Sequence, residues 1–139
     1  MIFNKRDLRR LRGVNLKLAL IFYEAQRTCP YDIHVGYLGG YRTPEQQNEL
    51  YRRDKSKKDG YRKLSKHQKG MAIDFVPYSG SNAIWDVEVY TVVADHIMYV
   101  AAEKFNTQLR WGADWNMNGI RVDKDPNEKF LDAGHLELV

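Results

Sequence analysis

The feature that most constrains the fold of this chain is a single carboxylate, Asp74, within the apolar run Met71–Val76. The run has the length and composition of a buried strand. An ionised side chain in such a strand is costly unless a cation or several donors satisfy it. Another part of the chain or a bound ion must therefore reach Asp74. A buried salt bridge would meet this requirement as well as a metal ion would.

Two histidines in separate segments are candidate partners of Asp74. His67 comes shortly before it, and we expect a strand or hairpin in which Gly70 turns the backbone so that both side chains converge. His135 begins the terminal segment, and Asp132 lies three residues before it. Two imidazoles and one carboxylate leave a coordination position of a zinc ion open to water, as in catalytic sites. The set predicts metal-assisted hydrolysis with zinc, although cobalt or manganese could occupy the same ligands.

Periodicity and turn signals predict an α+β fold, in which helices pack on a small, mostly antiparallel sheet that carries the zinc site. Thr43-Pro44-Glu45-Gln46 is a capping box with proline at the first helical position, so a helix should begin there. Leu16, Ala19, Leu20 and Tyr23 are spaced to share one face of an earlier helix. The expected helices span about 15–27, 43–53 and 86–105, the expected strands 33–38, 71–76, 108–111 and 135–139, and the expected loops 54–66 and 116–127.

Composition narrows the class of protein. The 139 residues, with no linker or repeat, predict one domain over 1–139 without a separate binding module, and we expect a monomer. The net charge of +4 is concentrated in Lys5–Arg12 and Arg52–Lys69, which either attract a polyanion or keep the protein soluble. The sequence contains no recognisable nucleic-acid motif, so we do not expect a nucleic-acid partner. It also contains no stretch long and apolar enough to cross a bilayer, so we expect no transmembrane segment.

Several segments, in order, resemble one family. Ser65-x-His67-x-x-Gly70-x-Ala72-x-Asp74, followed by Asp132-x-x-His135-x-Glu137, is similar to the zinc peptidases of the D-alanyl-D-alanine metallopeptidase family. Gly40-Tyr41-Arg42-Thr43 and Trp111-Gly112-Ala113-Asp114-Trp115 extend the likeness towards phage L-alanyl-D-glutamate peptidases. The resemblance implies the fold shared by these enzymes and the hedgehog signalling domain.

The resemblance also implies roles for individual residues. His67, Asp74 and His135 would ligate zinc, and Asp132 would be the general base for the attacking water. Arg42 would neutralise the developing oxyanion or hold the substrate carbonyl, unless it simply pairs with Glu45 or Asp32 on the surface. Ser65 and Glu137 would orient the ligands, and Trp111 would be either a core residue or a substrate platform. Gly134 and Leu136 replace a proline and an aromatic residue that are common in the family beside the last histidine.

The expected protein is therefore a phage endolysin without a separate cell-wall-binding module. Its expected activity is hydrolysis of the bond between L-alanine and D-glutamate in the stem peptide of bacterial peptidoglycan. A D-Ala-D-Ala carboxypeptidase or dipeptidase would use the same site, and a non-catalytic zinc-stabilised binding module is a further alternative. The amino-terminal residues lack the apolar stretch of a secretory signal. We therefore expect synthesis in the host cytoplasm and release to the wall through a membrane lesion.

Overall fold

The computed structural model describes residues 3–126 and 131–139 and confirms an α+β architecture. Its helices are α1 (Lys5–Arg10), α2 (Leu16–Thr28), α3 (Pro44–Arg52) and α4 (Val87–Phe105), with short 3₁₀ helices at Lys66–Lys69 and Val122–Lys124. Its strands are β1 (Asp32–Val35), β2 (Ala72–Ser79), β3 (Asn82–Ala83), β4 (Leu109–Trp111) and β5 (His135–Leu138). None of the helices among these residues has the length and apolar character needed to span a bilayer.

The sheet is antiparallel throughout and is organised around β2. The strand order is β1-β2-β5-β4, with β3 paired to the end of β2. The outer half of β2 pairs with β1, whereas its first residues pair with β5, and Asp74 lies directly opposite His135. Directly opposed residues of antiparallel strands project to the same face of the sheet. The register therefore brings a carboxylate and an imidazole from distant parts of the sequence side by side.

The hydrophobic core lies on the other face of β2. Ile73 and Phe75 point away from Asp74 because side chains alternate along a strand, and both are buried. Helices α2 and α4 pack together over this face, where Phe22 and Phe75 lie 6.3 Å apart between ring centroids. The sheet thus separates an apolar interior from a polar side that is available for a site.

The buried face of α2 differs from the expected one. Leu16, Leu20 and Tyr23 are 73%, 43% and 45% exposed, so their shared face is turned towards solvent. The buried residues of α2 are Leu18, Ile21, Phe22, Ala25 and Gln26. Positions 18, 21, 22 and 25 have the same helical spacing as the expected face, and packing against α4 and the sheet selects the face that carries phenylalanine.

The expected strand 33–38 is shorter than predicted, whereas the strand expected at 71–76 extends to Ser79. The first strand ends at Val35 because the chain then turns: Gly36 N–H donates to Asp74 O, and Leu38 has a φ of 53°. The helices expected near 43–53 and 86–105 are confirmed as α3 and α4, and Thr43 forms the predicted capping box. Helix α1, within the first basic run, was not expected.

The two predicted loops are largely confirmed. Residues 54–65 contain no helix or strand, and side chains of α3 fasten them, since Asn48 donates to Asp59 O and Gln47 donates to Lys58 O. The loop expected at 116–127 contains the 3₁₀ helix Val122–Lys124. Its last residue, Asn127, lies outside the described residues.

Candidate metal centre

Three predicted ligand residues meet on the polar side of the sheet. His67, Asp74 and His135 each present one ligand atom, and these atoms all lie within 4.8 Å of one another. Asp74 Oδ1 is at the centre of the group, 3.2 Å from His67 Nε2 and 3.0 Å from His135 Nδ1. The three residues lie on a 3₁₀ helix and on strands β2 and β5, so only the tertiary structure brings them together.

His67 lies in the 3₁₀ helix Lys66–Lys69, not in the strand or hairpin that was expected. The Ser65 hydroxyl accepts a hydrogen bond from His67 N–H, and Gly70 ends the helix with a φ of 69°. His67 Nδ1–H donates to Gly40 O at 2.9 Å. A proton is thereby assigned to Nδ1, and Nε2 is the ring nitrogen that faces Asp74.

The second carboxylate oxygen of Asp74, Oδ2, forms a hydrogen bond with Arg42. Arg42 Nη2 donates to Asp74 Oδ2 at 2.9 Å, its Nη1 donates to Gln47 Oε1, and its Nε donates to Leu38 O. Arg42 therefore pairs with Asp74 rather than with Glu45 or Asp32. One carboxylate oxygen is bound to the guanidinium while the other faces the two imidazoles.

His135 is oriented by Glu137, two residues further along β5. His135 Nε2 lies 2.8 Å from Glu137 Oε1, so Nδ1 is the nitrogen that faces Asp74. Glu137 is 5% exposed, and its second oxygen lies 3.4 Å from Arg110 Nη1 and 3.9 Å from Lys66 Nζ. Two cations thus support the buried carboxylate that orients this imidazole.

Asp132 precedes β5 in a tight loop that is packed on Gly112. Asp132 N–H donates to Gly112 O, and Gly112 N–H donates to His135 O. A Cβ at Gly112 would collide with Asp132 O, so only glycine allows this approach. Trp111 is 6% exposed, and its indole N–H donates to Ala133 O at 2.7 Å. In this structure Trp111 therefore packs in the core and anchors the Asp132 loop.

Electrostatic interactions within the group shift several protonation equilibria. Burial opposes ionisation of Asp74, but the two imidazoles outweigh this effect and hold the pKa of Asp74 well below its usual range. Burial also opposes protonation of His135, but its hydrogen bonds to Asp74 and Glu137 raise the pKa of His135 to about 9. Burial and the charge of Asp74 raise the pKa of Asp132. A raised carboxyl pKa suits a group that exchanges protons near neutral pH.

The donor set can hold a metal ion. It contains two imidazole nitrogens and one carboxylate oxygen, and each ligand has a partner on its far side, namely Gly40 O, Arg42 or Glu137. Such outer partners fix the tautomer and orientation of metal ligands. Three protein ligands leave room for a further ligand at the ion, which is typical of catalytic sites.

Comparison with known proteins identifies the family. Residues 1–139, the entire chain, match the family described as phage L-alanyl-D-glutamate peptidase. The chain belongs to this family. It is 32% identical over 144 residues to the L-alanyl-D-glutamate peptidase of Escherichia phage T5, and the match covers 99% of this chain and 97% of that protein.

Solved structures support the fold of the family member. The chain superposes on the L-Ala D-Glu endopeptidase ChiX of Serratia marcescens with a TM-score of 0.76 and 24% identity, covering 100% of this chain and 90% of that one. The LD-carboxypeptidase LdcB is more distant, with a TM-score of 0.54 and 18% identity, covering 94% of this chain and 68% of that one. At these identities the likeness establishes a shared fold.

The structure also reveals supporting residues that sequence analysis of this family member did not single out. Gly40 supplies the carbonyl that orients His67, and Gln47, fully buried, connects Arg42 to the loop after α3. The Trp115 ring lies 5.2 Å from that of His135 between centroids. Gly40 and Trp115 lie in segments already quoted for the resemblance, so proximity to the motifs was a usable signal. No sequence signal singled out Gln47, because the capping box ends at Gln46.

Proposed function

We propose that this protein is a zinc-dependent peptidoglycan endopeptidase that cleaves the stem peptide between L-alanine and D-glutamate. The observation that carries the proposal is the convergence of His67, Asp74 and His135 within 4.8 Å in a chain that belongs to the phage L-alanyl-D-glutamate peptidase family. In this proposal those three residues hold zinc, for which two imidazoles and a carboxylate are suitable ligands. The substrate is the one named for the phage T5 relative.

The proposed chemistry assigns distinct tasks to the surrounding side chains. A zinc ion held by His67, Asp74 and His135 would supply Lewis acidity, which would make a water molecule nucleophilic at neutral pH. Asp132 is the general base, and the raised pKa of its carboxyl allows it to receive a proton and return it to the leaving amine. Zinc would add a positive charge nearby and favour the ionised carboxylate that a base requires.

Arg42 has two tasks in the proposal. Three of its N–H groups hold Asp74, Gln47 and Leu38 O, which fixes the guanidinium plane. A guanidinium has five N–H groups, so two remain to stabilise the oxyanion that forms during attack on the peptide carbonyl. Ser65 and Glu137 position His67 and His135, and Trp111 positions the loop that carries Asp132.

The proposal extends to the biological setting. Like an endolysin, the protein would be made in the host cytoplasm and reach the wall through a membrane lesion, where it would act as a monomer. Size-exclusion chromatography with light scattering tests the monomer, since a dimer mass would contradict it.

The decisive experiment measures cleavage of purified sacculi by the zinc-loaded protein. We expect new amino termini, with mass spectrometry of defined muropeptides locating the cut between alanine and glutamate. His67→Ala and Asp132→Asn should lower the rate by at least about 100-fold, since each removes a metal ligand or the base. His96→Ala and Asp95→Asn on α4 are matched controls and should remain active. Full activity of Asp132→Asn, or release of only a terminal residue, would contradict the proposal.

A further inference from the structure

A small groove lined by arginines lies beside the metal centre and has no task in the mechanism above. It has a volume of about 210 Å³ and lies between the end of α1 and the turn that follows β1. Its lining includes Arg9, Arg10 and Arg12 together with Tyr37 and Tyr41. A second concavity, of about 490 Å³, lies near Asn106 and Met117 and is lined by none of the three proposed ligands.

The described residues that line the groove include no acidic side chain. Among the described residues, Arg9, Arg10 and Arg12 form no ion pair within 4.0 Å. The carboxylate of the same helix, Asp7, is buried and accepts from Val35 N–H and contacts His34. Burial and the nearby charges of Arg6 and Arg9 lower the pKa of Arg10, as expected where cations crowd together.

The three arginines differ in their availability. Arg10 donates to Val35 O and lies over the Tyr37 ring, 5.8 Å from its centroid, so it forms part of the wall. Arg9 and Arg12 are exposed, and their guanidinium groups have no recorded hydrogen bond to another described residue. These two side chains can therefore turn towards a ligand.

The groove shares two residues with the hydrogen-bonded supports of the metal centre. A Cβ at Gly40 would collide with Arg10 O, and Gly13 packs directly against the Tyr41 side chain, so the end of α1 is seated tightly on this turn. Gly40 and Leu38 line the groove, and their carbonyls accept hydrogen bonds from His67 and Arg42. Whatever occupies the groove is thus only one residue away from a proposed ligand and from the proposed oxyanion donor.

The size and chemistry of the groove indicate its ligand. It is smaller than the roughly 300–1,000 Å³ of pockets for drug-sized molecules, so it suits one amino-acid residue rather than a glycan or a folded segment. The guanidinium fork matches a carboxylate in shape and charge. A glutamate residue contributes one of its two carboxyl groups to a linear peptide chain and leaves the other free.

We propose that this groove is a specificity subsite in which Arg9 and Arg12 bind the free carboxylate of the glutamate residue beside the scissile bond. The inference rests on the proposed function and adds a recognition element to it. Arg9 and Arg12 are positioning residues that act on substrate binding, so their loss should raise KM and leave kcat largely unchanged.

The test compares two soluble synthetic stem peptides, one with a free glutamate carboxylate and one with that group amidated, using the zinc-loaded protein. We expect the wild-type KM for the amidated peptide to exceed that for the free acid about tenfold, as loss of a charge-assisted hydrogen bond predicts. Arg9→Gln/Arg12→Gln should raise KM for the free acid about tenfold, with kcat within about twofold, and should leave KM for the amide unchanged.

The matched control is Arg27→Gln/Lys104→Gln, which removes the same charge from exposed positions at the far ends of α2 and α4. This variant should behave as the wild type on both peptides. An unchanged KM in Arg9→Gln/Arg12→Gln, or an equal rise for both peptides, would overturn the subsite. Loss of binding to anionic phosphatidylglycerol vesicles with unchanged peptide kinetics would overturn it in favour of attraction to the envelope surface. A wild-type protein that cleaves neither peptide would refute the proposed function, and the subsite with it.

Discussion

Gln47 offers the sharpest test of how the polar side of the sheet is held together. It is fully buried in α3 and uses both ends of its amide: Oε1 accepts from Arg42, and Nε2 donates to Ser56 Oγ at 2.9 Å and to Lys58 O at 2.8 Å. Gln47→Leu preserves the approximate shape of the side chain and removes all three hydrogen bonds. It also leaves the guanidinium and a backbone carbonyl without these partners.

The expected cost follows from these contacts. Two neutral hydrogen bonds contribute about 1 kcal/mol each, and the bond to the charged guanidinium contributes about 1.5–3 kcal/mol. Burial of leucine returns part of this sum, so we expect a net loss of about 3 kcal/mol in the free energy of unfolding. For a chain of this length, that corresponds to a fall in Tm of about 10 °C.

Urea denaturation of the metal-free protein measures the loss without involving zinc affinity. Gln108→Leu, the same substitution at an exposed position, should change the free energy of unfolding by less than about 0.5 kcal/mol. A loss below about 1 kcal/mol in Gln47→Leu would refute the reasoning, because it would mean that these buried hydrogen bonds are replaced without cost.

Three further predictions concern the core, the Asp132 loop and the response to alkali. Phe22→Ala should cost about 3–5 kcal/mol in urea denaturation and Leu16→Ala less than about 0.5 kcal/mol; the reverse order would mean that the other face of α2 is buried. Gly112→Ala should lower the free energy of unfolding by about 1–3 kcal/mol, because the added Cβ would collide with the backbone oxygen of Asp132. Gly80→Ala should lower it less, because the added Cβ would meet no atom and only the φ of 61° would be strained. Burial raises the pKa of Tyr90 to about 12, so the stability gained by keeping its phenol protonated is complete below about pH 10 and is lost as the pH rises towards 12. Between pH 10 and 12, the free energy of unfolding of Tyr90→Phe should therefore fall by about 2 kcal/mol less than that of the wild type. Equal losses in the two proteins would mean that the pKa of Tyr90 is not raised by burial.

Local signals predicted those elements whose cause is local. The capping box at Thr43 and the apolar stripe of α4 correspond to helices in the structure. Residues close together in the sequence determine both where a helix starts and which of its faces is apolar. The face of α2 could not be chosen this way, since Leu16 and Leu18 belong to two stripes with equivalent spacing. Only packing against the sheet distinguishes them.

The candidate site follows the same division. The cost of an ionised Asp74 in an apolar strand predicted that partners would come to it, and the structure brings His67, His135 and Arg42 there. The carbonyl of Gly40 could not be predicted, because every residue has a carbonyl and only the tertiary fold selects one. Spacing likewise did not predict the 3₁₀ helix of His67, where serine and glycine at the ends permit a single tight turn.

The position of β5 within the sheet bears on when the protein can become active. This strand carries His135, yet it lies between β2 and β4, both of which precede it in the chain. Until β5 has been synthesised, its place between β2 and β4 is empty and one imidazole is missing. A nascent chain that lacks this strand would therefore be unable to assemble the centre, and hydrolytic capacity would arise only when β5 inserts between its neighbours.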